Sequence, residues 1–214
     1  MDETVRVRLL ADRDWDAVVA LERDAYSGLG LSEDRAALQS RAAASPDTCF
    51  VVDVGPRTAG YVLALPYPPH RYPDLARTED AEPPARPSGS SSPSSPTSPT
   101  SPTSPSGSSS PSSGSGGWGN LHLHDIVVAP GLRRRGLARH LLHHLTGTAR
   151  ARGDERISLV AVGGTEGFWT ARGFVAQPGV VPAGAYGGGA VYMSKPVPAR
   201  PSPSPPATTL REVS

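Results

Sequence analysis

LHLHDIVVAPGLRRRGLARHLL, residues 121–142, is the stretch on which the reading of this chain turns. Its first eight residues are mostly branched apolar side chains, interrupted by His122, His124 and Asp125, and this pattern predicts a largely buried strand. Ala129, Pro130 and Gly131 break that strand. An arginine-rich turn follows, and Leu137, Leu141, Leu142 and Leu145 then recur at helical spacing. The predicted order is strand, cationic glycine loop, helix.

The first turn of a helix carries N–H groups without intrahelical partners, together with the positive end of the macrodipole. A loop that delivers several such groups to one place is an anion site. Gly136 lets a ligand approach the backbone where a Cβ would intrude, and Ala138 is nearly as small. Arg133, Arg134, Arg135 and Arg139 add forked donors suited to phosphate oxygens, so the loop reads as a diphosphate cradle. The competing readings are a solvated basic turn and a nucleic-acid patch, but neither needs Gly136 or the flanking strand and helix. The spacing is neither the Gly-x-Gly-x-x-Gly of a dinucleotide site nor a P-loop.

The stretch closely resembles the acetyl-CoA motif of the GNAT superfamily of N-acetyltransferases, Gln/Arg-x-x-Gly-x-Gly/Ala, through Arg133, Gly136 and Ala138. A second block, RISLVAVGGTEGFWTARGF at residues 156–174, resembles the family's fifth strand, fourth helix and the Gly-Phe that opens its sixth strand. The resemblance implies an α/β (α+β) fold. Its mixed, mostly antiparallel central sheet would be splayed between strands 4 and 5 and flanked by about four helices. It also implies acetyl-CoA as co-substrate, bound by Ile126, Val127, Val128, Arg133, Arg134, Arg135, Gly136, Leu137, Ala138 and Arg139. The implied reaction is transfer of an acetyl group to an amine on a small molecule or a peptide. No metal is expected. The pattern leaves room for a homodimer.

Composition bounds the rest. Glycine (23) and proline (24) are concentrated rather than spread, so the folded part is richer in apolar residues than the overall 37%. A net charge of +1 argues against general affinity for nucleic acid or anionic membrane. No apolar run reaches the roughly 20 residues of a membrane span, and the N-terminus has no apolar leader core. The single cysteine, Cys49, cannot form an internal disulfide and reads as a buried structural thiol in a cytoplasmic protein.

The N-terminal half, residues 1–81, is expected to supply strands 1–3 and helices 1–2. Residues 5–9 alternate like a half-buried strand, and Asp12 is placed to cap a helix on which Trp15, Val18, Val19, Glu22 and Tyr26 share helical spacing. A second helix should begin at Ser32 and end before Pro46. Residues 48–54 and 58–65 read as a hairpin. In the resemblance Glu22 and Tyr26 could face a substrate; otherwise Tyr26 is partly buried core and Glu22 is solvated. The proline-rich stretch at residues 66–73 is a loop whose tyrosines either contact acceptor or pack the loop onto the sheet.

Residues 82–117 collapse to Ser, Pro, Thr and Gly and are expected to be a disordered insertion between the third and fourth strands. Residues 118–195 complete the domain with the acetyl-CoA motif, and residues 196–214 are expected to be a disordered proline-rich tail.

Many GNAT members place a carboxylate on the fifth strand as base and a tyrosine on the fourth helix as acid. Here the strand reads Ser158-Leu159-Val160-Ala161, and Trp169 stands at the tyrosine position. His124 and Asp125 are the replacement catalytic candidates, although on a regular strand they would point to opposite faces. A hydrogen-bonded structural role is the alternative for each. Glu166 is a weaker candidate. If turnover is lost, the chain would be a CoA-binding module, and if the Ser/Pro insertion dominates, an interaction protein.

Overall fold

The computed structural model describes residues 3–79 and 118–198. The expected insertion at 82–117 and nearly all of the expected tail lie outside the described residues. Chain order is β1 (Val5–Leu9), α1 (Trp15–Tyr26), α2 (Arg35–Ala44), β2 (Phe50–Val54), β3 (Arg57–Pro66), β4 (Asn120–Val128), α3 (Leu137–Arg152), β5 (Arg156–Ala161), α4 (Glu166–Thr170), β6 (Val175–Ala176) and β7 (Val191–Pro196).

The strands form a single seven-stranded sheet in the order β1-β2-β3-β4-β5-β7-β6. Every neighbouring pair is antiparallel except β4 with β5, which run parallel and pair only at Asn120 with Arg156, Leu121 with Ile157 and His122 with Ser158. Beyond His122 the two strands part, which is the expected splay. β3 and β4 are direct partners from Gly60–Val128 to Pro66–Leu121, so the segments on either side of residues 80–117 belong to one sheet.

Apolar side chains on one sheet face meet α3, whose buried Leu137, Leu141, Leu142, Leu145 and Ala149 follow the three-to-four-residue spacing of one helix face. Burial of each of these leucines is worth roughly 1.5–3 kcal/mol. The opposite face packs Val51, Tyr61, Leu63 and Val127 against Trp15, Val18 and Leu38 of α1 and α2. Cys49 is buried on this side, and desolvation pushes its thiol up to about 11, as suits an inert structural residue.

Three boundaries differ from the sequence expectation. Asp12 caps nothing by its side chain; the Asp14 carboxylate accepts the Ala11 N–H at 2.9 Å and is held by Arg8 at 2.6 and 2.8 Å. α2 starts at Arg35 rather than Ser32, because Asp34 accepts from the Ala37 N–H while the Ser32 hydroxyl is spent on Glu22. β7 runs one residue past the expected tail boundary, to Pro196, and Val197 donates its N–H to the Glu155 carbonyl at 2.8 Å.

Candidate active site

β4 carries two sites along its length. At its end, Arg133 Nε donates to the Val128 carbonyl at 3.2 Å and folds the turn back on the strand. Arg134 (φ 65°) and Gly136 (φ 83°) both adopt left-handed backbone, a combination that turns successive N–H groups toward one side as a nest. Among the described residues, the N–H groups of residues 134–138 have no hydrogen-bond acceptor, whereas those of Arg139 and His140 bond the Gly136 carbonyl and start α3. A Cβ built on Gly136 would meet nothing within 4 Å, so its backbone borders open space. Arg133, Arg134, Arg135 and Arg139 are exposed around it, and Arg135 lies 3.8 Å from Glu3. Leu137 and Val127 have core side chains and can offer a ligand only backbone; Ile126 and Val128 are half-buried against the α3-side core. The donor set fits a diphosphate, and the parting of β4 from β5 leaves the β4 edge beyond His122 without a strand partner on that side.

The second site lies on the α1/α2 side of the same strand. Leu63 pairs with Asp125 and Ala64 with Leu123, so His124 is an extra residue in β4, a β-bulge. The bulge corrects the expectation that His124 and Asp125 face opposite ways. It shifts the alternation by one residue, and both side chains line the same cleft with Glu22, Tyr26, Leu31, Glu33, Leu75, Val160, Val162 and Tyr186.

His124 Nε2 lies 2.5 Å from Glu33 Oε2, and Glu33 Oε1 accepts from Arg41 Nε at 3.0 Å and Nη2 at 2.5 Å. The Arg41 side chain is fully buried and also donates to Glu79 and to the carbonyls of Asp74 and Arg77. Burial raises the Glu33 carboxyl, but the bonds and charges of His124 and Arg41 outweigh it and leave the group below its ordinary range. A carboxylate at this distance assigns a proton to Nε2, so in the neutral ring Nδ1 carries the lone pair. That Nδ1 is buried and has no hydrogen-bond partner among the described residues.

Asp125 is placed differently. Its Oδ1 accepts the Tyr26 hydroxyl at 2.6 Å and its Oδ2 accepts the Tyr61 hydroxyl. Desolvation raises its carboxyl despite these bonds, and burial together with the Asp125 charge raises both phenols. Glu22, expected as substrate-facing or solvated, is buried and lines the cleft; it accepts from Ser32 Oγ at 2.6 Å and the Glu33 N–H at 2.8 Å. Burial, with Asp125 and Glu33 nearby, raises its carboxyl.

On β5, Val160 lines the cleft and Ser158 bonds His122 Nδ1 at 3.0 Å and Asn120 Nδ2 at 2.9 Å. Trp169 is core, packed edge-on against Phe174 at 5.3 Å, and Glu166 is exposed away from the cleft lining. Glu33 and Arg41 were not legible as site residues, since Glu33 reads locally as part of a helix start and meets His124 across 91 positions of sequence.

Residues 113–174 match the model of the acetyltransferase (GNAT) family. No curated protein sequence gives a significant match. Solved structures do match in fold. Ard1 from Thermoplasma volcanium superposes with TM-score 0.60 at 12% identity, covering 90% of this chain and 97% of its own. The ribosomal-protein-S18-alanine N-acetyltransferase from Escherichia coli gives 0.56 at 14% identity, covering 93% and 97%. The GNAT-like decarboxylase GphF, in complex with isobutyryl-CoA, gives 0.59 at 20% identity, covering 90% and 100%.

Proposed function

From its membership of the GNAT superfamily, we propose that this chain is an N-acetyltransferase that moves an acetyl group from acetyl-CoA to an amine. The observation that carries the reading is the sequence of features along β4. The strand ends in the nest at residues 134–138 and also carries a cleft-lining histidine whose Nδ1 has no partner among the described residues.

Acetyl-CoA, when bound, supplies the activated acyl thioester. The N–H groups of residues 134–138, with Arg133, Arg134, Arg135 and Arg139, would hold its diphosphate, and the free edge of β4 around Ile126, Val127 and Val128 would offer backbone groups to the pantetheine arm. His124 Nδ1 would take the proton that the amine gives up as it forms the amide C–N bond; the thioester C–S bond breaks to a thiolate, which becomes free thiol by taking a proton from solvent or from the imidazolium. Glu33 is a positioning residue that fixes the ring tautomer and stabilises the imidazolium, and Arg41 holds Glu33 in turn. Catalytic hydrogen bonds are often completed only when substrate is bound, which accords with an Nδ1 that has no partner among the described residues. Asp125, with both oxygens taken by phenols, shapes the charge of the cleft rather than abstracting a proton.

The test is a calorimetric titration with acetyl-CoA followed by free-thiol release with a panel of amines. Saturable binding with amine-dependent thiol release is expected. Binding without release across the panel would favour a CoA-binding module, and no binding would overturn the assignment of residues 121–142.

A further inference from the structure

We infer that the acceptor is a short aliphatic diamine or polyamine, whose second ammonium group is held by Glu22 and Asp125 while the reacting nitrogen meets His124. The inference rests on the acetyltransferase reading and deepens it. Glu22, Glu33 and Asp125 line the cleft, and among the described residues no lysine or arginine does. The nearest guanidinium, Arg41, is buried behind Glu33 and already bonded to Glu33, Glu79 and the carbonyls of Asp74 and Arg77. Independently of these acids, His124 is a ligand-seeking group. Its side chain is 3% exposed, it lines the cleft, and its Nδ1 has no partner among the described residues. Leaving such an atom unpaired carries a desolvation cost that a bound donor would recover.

The charge decides among amines. An attacking amine must be neutral, and neighbouring carboxylates favour its protonated form, so excess negative charge works against an acceptor with one nitrogen. The same charge favours an acceptor that keeps a second, permanent ammonium. A carboxylate or phosphate on the acceptor would find no lysine or arginine in the described lining and would be repelled by Glu22 and Asp125. Leu31, Leu75, Val160, Val162 and Tyr186 supply apolar walls for a methylene chain. The cleft is narrow and open to solvent at its mouth, which suits a slender aliphatic chain rather than a folded protein surface.

The experiment compares putrescine, n-butylamine and γ-aminobutyrate, which share a four-carbon backbone and differ in the group at the far end (ammonium, methyl or carboxylate), as acceptors for the full chain with acetyl-CoA. Putrescine should exceed n-butylamine in kcat/KM by roughly tenfold or more, the scale of one partly buried ion pair, and γ-aminobutyrate should be poorest. Glu22→Gln should bring putrescine down toward n-butylamine mainly through KM, with its melting temperature checked first because Glu22 also holds Ser32 and the Glu33 N–H. Thiol release with n-butylamine or γ-aminobutyrate as good as with putrescine would overturn the inference and leave the acetyltransferase reading intact. If acetyl-CoA fails to bind, that reading falls, and direct calorimetry of putrescine against n-butylamine on the wild-type protein still decides this one. Salt-sensitive preference for putrescine supports it, and equal or absent binding overturns it.

Discussion

Glu33→Gln replaces a buried carboxylate by a neutral group of nearly the same shape, and the structure separates its effect on folding from its effect on catalysis. Glu33 accepts bonds from Arg41 at 3.0 and 2.5 Å and from His124 at 2.5 Å. Removing one partner of a buried ion pair costs about 3–5 kcal/mol when the other is stranded. Arg41 is not stranded, because Glu79 and the carbonyls of Asp74 and Arg77 remain, and the amide oxygen can still accept one bond. A loss of about 2 kcal/mol follows, or a melting temperature lower by roughly 4–8 °C for a protein of this size. Because the Glu33 pKa is depressed on folding, its contribution is fully present above the ordinary carboxyl range and lost as pH falls through the folded value; the variant should therefore show a flatter acid limb. In catalysis the imidazolium loses its counter-charge, and kcat should fall roughly 10²-fold, within the range of acid–base assistance. Acetyl-CoA affinity should stay within about twofold, since the nest lies at the far end of β4. Steady-state kinetics of Glu33→Gln, His124→Gln and the double variant give the measure. If the two residues act as a unit, the double variant is little worse than His124→Gln alone. A folded Glu33→Gln with wild-type kcat, or additive losses, would refute the dyad.

Other expectations follow from the same geometry. Gly136→Ala should lower stability by only about 1–2 kcal/mol, the strain of a left-handed alanine with open space around its Cβ, yet weaken acetyl-CoA binding by tenfold or more; calorimetry showing unchanged affinity would remove the nest from the cofactor site. Gly60→Ala should behave in the opposite way and damage folding first, because its Cβ would lie 2.5 Å from the Val127 carbonyl oxygen, a backbone atom held in the β3–β4 ladder. His122 is buried and its pKa is pushed well below 6.5 by desolvation, so the unfolded chain takes up a proton there before the folded one does. That residue should make the protein less stable by about 1 kcal/mol on going from pH 7 to pH 5.5, and His122→Asn should remove that part of the slope in chemical denaturation; an unchanged slope would show that His122 takes up its proton at the same pH in the folded and unfolded chain.

What the sequence determined by itself is the part of the fold that local pattern dictates. Branched apolar residues at 121–128, the Pro-Gly break and leucines at helical spacing place β4, the arginine loop and α3, because strand and helix periods are properties of neighbouring residues. The hairpin of β2 and β3 and the apolar β5 were legible on the same grounds. Tertiary structure alone decided the chemistry of the cleft. The extra residue at His124 changes nothing in the local pattern, yet it turns two residues expected on opposite faces toward one site; only pairing with β3 reveals it. Glu33, Arg41 and Tyr61 enter the site from segments far from β4 in the chain. In sequence they read as a helix start, a basic helix residue and a strand aromatic, and they become a dyad, its brace and a carboxylate partner only when α1 and α2 dock on the sheet. Hydrogen bonds between distant segments leave no periodic trace, so the scaffold was readable residue by residue while the acid–base apparatus was not.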